Sequence, residues 1–137
     1  MPWEENFVLP GDSVLLENGY EIVPKKWGRE IIITNNNLYC GKILEILPGH
    51  ISSIHNHKLK DETFMAVKGV VCVTAWRLST DEEKLVRSYI LRGWAKDSIR
   101  LEPGTLHSFE ALEEPAVVIE FSTPHSDEDV YRLRPSE

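Results

Sequence analysis

Short apolar or β-branched runs, each closed by turn residues, recur along the chain, and helical periodicity is weak throughout. "EIIIT" runs into "NNN", "GKILEIL" into "PGH", and "TFMAV" passes through "KG" into "VVCVTAW". "STDEEK" makes a polar loop too short for a stable helix, and "LVRSYIL" follows it. "DSIRL" precedes "EPGT", "LHSFEAL" precedes "EEP", and "AVVIEFST" is the last strong run. About eight or nine strands at short, regular spacing predict an all-β protein, an antiparallel sandwich or small barrel. The opening segment, as far as Gly28, reads as an arm with one or two short strands packed on the body.

A chain of 137 residues fits one domain, and 42% hydrophobic residues supply a core rather than a disordered tract. The formal net charge of -7 argues against a nucleic-acid surface, which needs clustered Lys and Arg. It suits a neutral sugar, or an anionic one held by a few local cations. "MPWEENFVLPGD" lacks the basic and apolar regions of a signal peptide, and no apolar run approaches the roughly 20 residues of a membrane span. Cys40 and Cys72 each sit in a strand-like run, away from zinc-ribbon spacing, and read as free thiols of a cytoplasmic protein.

The chemistry concentrates in "GHISSIHNHKLKDETFMAVKG", Gly49 to Gly69. His55 and His57 are two apart, so an extended chain aims both imidazoles at one face. "KLKD" reads as a polar reversal that brings Glu62 onto the neighbouring strand, about 4.8 Å away, within reach of a cation held by the histidines. His107, opening a strand after the Pro103–Gly104 turn, is the candidate fourth ligand. Three imidazoles and one carboxylate suit a single divalent ion, with manganese placed first and zinc, iron, nickel or cobalt as alternatives. His50 and His125 fall outside this spacing. Phe64, Phe109 and Trp76 read as core or wall residues.

The spacing G-x5-H-x-H-x4-E-x6-G at Gly49, His55, His57, Glu62 and Gly69 resembles the first motif of the cupin superfamily without deviation. The second cupin motif is matched at Gly104 and His107, while Glu102 stands at its proline and Ala111 at its asparagine. The resemblance implies a single cupin domain over 1–137, a double-stranded β-helix or jelly-roll barrel. The arm is then 1–28, the barrel 29–122 and the C-terminal segment 123–137. It also implies that the two histidines, the glutamate and the later histidine bind the ion. "KKWGREIIITNNNLYCGKILEILPG" and "VIEFSTPHSDEDVYRL" further resemble D-lyxose isomerase-like sugar isomerases, which also act on mannose. That likeness implies metal-dependent aldose–ketose isomerisation through an enediolate. Cupins often pair through N-terminal strands, and the apolar arm implies a homodimer.

An isomerase needs a base beside the metal. Glu120, a carboxylate in the apolar strand "VVIEFST", is the candidate; an outward-facing residue is the alternative, since alternation alone does not decide it. Lys42 shares a face with Leu44 and Ile46, which suits either an inward catalytic lysine or one at the rim. Lys58 and Lys60 flank the motif at the barrel mouth and are candidates to hold a substrate hydroxyl or phosphate. Arg132 is a candidate for a distal sugar oxygen, or pairs with Asp127 or Asp129. Two other readings stand beside the isomerase: a metal cupin with dioxygenase or decarboxylase chemistry, and a non-catalytic sugar-binding cupin.

Overall fold

A computed structural model describes residues 13–78 and 84–137, with the side chains of 77, 78, 84, 85 and 132–134 outside that description. The strands are β1 (Val14–Leu15), β2 (Glu21–Lys25), β3 (Gly28–Asn35), β4 (Cys40–Ile46), β5 (Ile54–His57) and β6 (Glu62–Lys68). They continue as β7 (Val70–Leu78), β8 (Lys84–Arg92), β9 (Ser98–Leu101), β10 (Leu106–Ala111), β11 (Ala116–Ser122) and β12 (Val130–Arg134). Each apolar run read from the sequence becomes one strand. The polar loop before β8 lies outside the described residues from 79 to 83.

Two antiparallel sheets face each other, one in the order β1-β2-β3-β4-β11-β6-β9 and the other β12-β5-β10-β7-β8. From β4 onward the chain changes sheet at every connection except the β7–β8 hairpin. This winding makes the double-stranded helix of strands a cupin barrel requires, and it corrects one expectation. β5 and β6 do not pair; they belong to opposite sheets. "KLKD" therefore carries the chain across the barrel, and Glu62 faces the histidines from the opposite wall.

The interior follows from period-2 alternation. Ile46, Leu44 and Lys42 point inward from β4; Ala116, Val118 and Glu120 from β11; Ala66, Phe64 and Glu62 from β6; Ala111, Phe109 and His107 from β10. In every case the two apolar residues lie at one end and the polar residue at the other. The registers align them, with Leu44 and Ala66 both opposite Val118, and Lys42 opposite Glu120. The barrel thus has a closed apolar end, joined by Trp27, Val71, Val73, Leu91 and Leu101, and a polar end. Trp76 is an exception to the core reading: it lies on the outer face of the five-stranded sheet with Cys72 and Thr74, along a shallow groove.

The ends of the chain contribute more than expected. β2 joins the larger sheet, and its Glu21, Val23 and Lys25 line the cavity. The C-terminal segment supplies β12, which pairs with β5 in the smaller sheet. "EDVYRL" is too short and too charged to announce a strand by pattern.

Gly69 has φ 70° where β6 turns into β7, and an added Cβ would meet Pro115 O at 2.8 Å. Gly49, with φ 87°, has open space around it. Both motif glycines thus serve left-handed turns, but only Gly69 is also sterically confined.

Candidate functional site

The polar end of the barrel opens into a cavity of about 450 Å³ lined by His55, His57, Lys42, Lys60, Glu62 and Glu120, with Phe64, Phe109 and Trp27 as an apolar wall. His55 lies directly opposite His107 in the β5–β10 ladder, and their ring centroids are 4.6 Å apart. His57 lies two residues along on the same face, 5.1 Å from His55. One donor atom from each of the three histidines lies within 4.8 Å of the others, so the group can hold a metal ion. Glu62 faces them from β6, with Oε2 3.2 Å from His107 Nε2 and Oε1 3.7 Å from His57 Nε2.

Local hydrogen bonds orient two of these imidazoles. His55 Nδ1 lies 3.1 Å from the Ser53 carbonyl and 2.9 Å from its hydroxyl, and His107 Nδ1 lies 3.0 Å from the Thr105 carbonyl. Donation from Nδ1–H leaves the Nε2 lone pair free to ligate, which is how neutral histidines are held for metals. His107 Nε2 is buried and makes no aligned hydrogen bond, despite its nearness to Glu62. Without an ion, Glu62 at 3.2 Å favours a proton on His107; a divalent cation held between the two would take that proton's place. The mixed imidazole and carboxylate set suits first-row divalent ions.

Electrostatics agree with this arrangement. Burial, reinforced by His107 and His57, lowers His55 to about 3, and burial lowers His57 to about 4. Both are therefore neutral at pH 7, the form that binds metal. Burial disfavours the charged forms of Glu62 and His107 too, but their mutual attraction prevails, holding Glu62 below the carboxylate range and His107 above the ordinary imidazole.

Glu120 and Lys42 both point into the cavity. Burial, aided by the Glu62 charge, raises the Glu120 carboxyl against the opposing pull of Lys60 and Lys42. Lys42 Nζ lies 3.3 Å from Glu30 Oε2, and the attraction of Glu30 and Glu120 outweighs burial and raises its pKa. Lys60 is not at a solvated mouth. It is 3% exposed, with Nζ 2.8 Å from Glu120 Oε2, 3.3 Å from Glu62 Oε1 and 3.0 Å from His125 Nδ1. Lys58 stays outside, its ammonium 4.4 Å above the Tyr131 ring. Arg132 lies opposite His55 in the β12–β5 ladder, and its side chain lies outside the described residues.

Three contributors went unread in the sequence. His125, set aside for its spacing, lines the cavity and lies 3.1 Å from Asp127 Oδ1 through Nε2. Glu30 bridges Lys42 and Lys25, at 3.3 Å and 3.4 Å. Asp129 grips the crossing between His57 and Glu62. Glu30 had a signal, since it alternates with Ile32 in "GREIIIT"; the other two are brought in by distant parts of the chain.

No family model matches the chain. Over 115 residues it is 30% identical to the D-lyxose/D-mannose isomerase of Thermosediminibacter oceani, covering 72% of this chain. The chain spans 63% of that relative's length. Its fold is similar to that of the capsular polysaccharide assembling protein CapF from Staphylococcus aureus, with a TM-score of 0.72, 19% identity, and coverage of 84% of this chain and 34% of that one. It is also similar to oxalate decarboxylase from Bacillus subtilis, with a TM-score of 0.68, 18% identity, and coverage of 93% and 33%. At these identities the likeness establishes the fold alone. The chain has the cupin fold, with its histidine triad at the open end of the barrel. Within that class its sequence similarity runs to the D-lyxose/D-mannose isomerase.

Proposed function

We propose that the protein is a metal-dependent aldose–ketose isomerase acting on a small sugar such as D-lyxose or D-mannose. The observation that carries this reading is the Glu120 carboxyl, buried in the same cavity as the four donors and tied to Glu62 through Lys60. A carboxyl raised by burial inside a cleft, beside a candidate metal site, is the pattern of a general base.

His55, His57, Glu62 and His107 hold the divalent ion, with manganese first among the candidates. When bound, it supplies Lewis acidity toward the oxygens of the open-chain sugar. Glu120 takes the proton from the carbon beside the carbonyl and returns it to the former carbonyl carbon, while the hydroxyl proton of the first carbon passes to the former carbonyl oxygen. The Lys60 ammonium balances its charge and holds it in place. Lys42 donates a hydrogen bond to a sugar oxygen, and Phe64, Phe109 and Trp27 keep water from the reacting carbons. The three lysines lining the cavity each sit on a carboxylate: Lys25 and Lys42 on Glu30, Lys60 on Glu62 and Glu120. This supports a free sugar over a phosphorylated one, because a phosphate would have to compete for those cations.

The chain works as a single domain, in the cytoplasm, as a homodimer. Support for pairing comes from the outer face of the larger sheet. There Ile31, Ile43, Ile119 and Met65 form one cross-strand row, and Phe121 is 52% exposed.

A panel of aldoses and ketoses, assayed with Mn²⁺ and other divalent ions, tests the reading. Ketose should form from D-lyxose or D-mannose, and Glu120→Gln should keep the metal while turnover falls by about 10²-fold or more. A metal-loaded protein that bound sugar without turnover would instead be the sugar-binding cupin.

A further inference from the structure

The crossing His57–Asp61 begins at one proposed metal donor, carries Lys60, and delivers Glu62 to the opposite wall. It has no apolar anchor: Leu59 is 81% exposed. Its backbone is instead held by Thr123–Val130, nearly residue for residue. Thr123 and Asp61 exchange two bonds, from Thr123 N–H to the Asp61 carbonyl at 3.1 Å and from Asp61 N–H to Thr123 Oγ1 at 3.0 Å. Val130 lies opposite His57 in the β12–β5 ladder. Between these two, Asp129 is buried, and its carboxylate accepts from the backbone N–H of Lys58, Leu59 and Lys60 at 3.1–3.2 Å.

The grip extends to the Lys60 side chain. An ammonium can only donate, so His125 Nδ1 accepts from it and His125 Nε2–H is left to donate to Asp127. His125 is itself pinned through its main chain, donating to Asn35 Oδ1 at 3.0 Å and accepting from Asn35 Nδ2 at 3.1 Å.

We propose that Asp129 is a positioning residue for the site. Through the main chain of residues 58–60 it sets the reach of Lys60 and the placement of Glu62 against the three histidines. Three adjacent N–H groups that no strand partner satisfies converge on one carboxylate, and together they define the path of the crossing. Its consequence for the ion rests on the metal-site reading; its consequence for the loop does not.

The test uses the full chain with Asp129→Asn and Asp129→Ala. Asn keeps the shape but turns an N–H donor toward the amides; Ala removes both acceptors. Amide hydrogen exchange at Lys58, Leu59 and Lys60 should speed up by about tenfold or more while the barrel strands stay protected. Mn²⁺ affinity, measured by calorimetric titration, should fall by about tenfold, the scale seen when a group that orients metal ligands is lost. Val118→Ala, a core truncation remote from the crossing, serves as the control for lost stability and should leave both readouts near wild type. Unchanged exchange at 58–60 in both Asp129 variants overturns the proposal, as does an equal loss of Mn²⁺ affinity in the control. If Ala does not fold, Asn decides. If the wild type binds no Mn²⁺, the metal reading fails and the exchange measurement alone decides the role of Asp129.

Discussion

Replacing Lys60 with methionine keeps an unbranched side chain, one atom shorter, and removes its charge. In the native cavity that charge sits 2.8 Å from Glu120 and 3.3 Å from Glu62, with all three side chains at most 5% exposed. Taking one partner from a buried ion pair costs about 3–5 kcal/mol, because the other is left uncompensated. Here two carboxylates are left facing each other, so the upper part of that range applies, equivalent to a fall of about 10 °C or more in Tm. Protonation of Glu120, whose carboxyl is already raised by burial and by Glu62, relieves part of the cost. A raised folded-state pKa means that the native state binds the proton more tightly than the unfolded state. The penalty in Lys60→Met is therefore largest above that raised pKa and shrinks as pH falls through it toward the ordinary value of 4.5. Adding Glu120→Gln should recover about 2 kcal/mol or more of the loss at pH 7, a coupling read from a double-mutant cycle. Urea unfolding of the EDTA-treated proteins at pH 7 and pH 5.5 measures all of these. A loss below about 1 kcal/mol for Lys60→Met, or simple additivity in the double variant, would refute the buried triad.

Two further outcomes follow from the same geometry. His55 and His57 have folded pKa values of about 3 and about 4 against an ordinary value of 6.5, so the unfolded chain takes up their protons first. Their contribution to the stability of the metal-free protein should fall as pH drops below 6.5, by roughly 2–3 kcal/mol per pH unit for the two together between pH 6 and 4, partly offset by Glu120, whose raised carboxyl takes up its proton in the native state first. His55→Gln should remove about half of that contribution in urea unfolding, and a pH profile parallel to the wild type's would show that the His55 imidazole is not buried neutral. Gly69→Ala combines a φ of 70° with a Cβ pressed against Pro115 and Ala116, and should cost about 2 kcal/mol or more. Gly49→Ala, at φ 87° with nothing within 4 Å, should cost about 1 kcal/mol; equal Tm shifts for the two would contradict this account.

Much of the barrel is legible in the amino-acid order because a strand writes its own period. "GKILEIL", "ETFMAV" and "AVVIEFST" each alternate one buried face with one partly exposed face, and that pattern holds wherever the strand ends up. The spacing of His55 and His57 is legible for the same reason: two residues apart in an extended chain means one face. What the alternation does not contain is the sheet each strand joins. Glu62 was expected beside the histidines on a paired strand; it reaches them from the opposite sheet. Lys60, in a run that reads as polar loop, is buried because two carboxylates from β6 and β11 and an imidazole from the C-terminal segment compensate its charge.

The contacts that hold the site in place are the least local ones. Asp129 lies 69 residues from Lys60, His125 lies 65 from it, and the Asn35 that pins His125 is 90 residues away. Nothing in their immediate sequence distinguishes them from solvated polar residues. Local periodicity and donor spacing determined that the chain would form strands and bring histidines to one face. Only the tertiary structure decided which carboxylates would meet them and which lysine would be drawn inside, because a charge is buried where distant groups converge to compensate it.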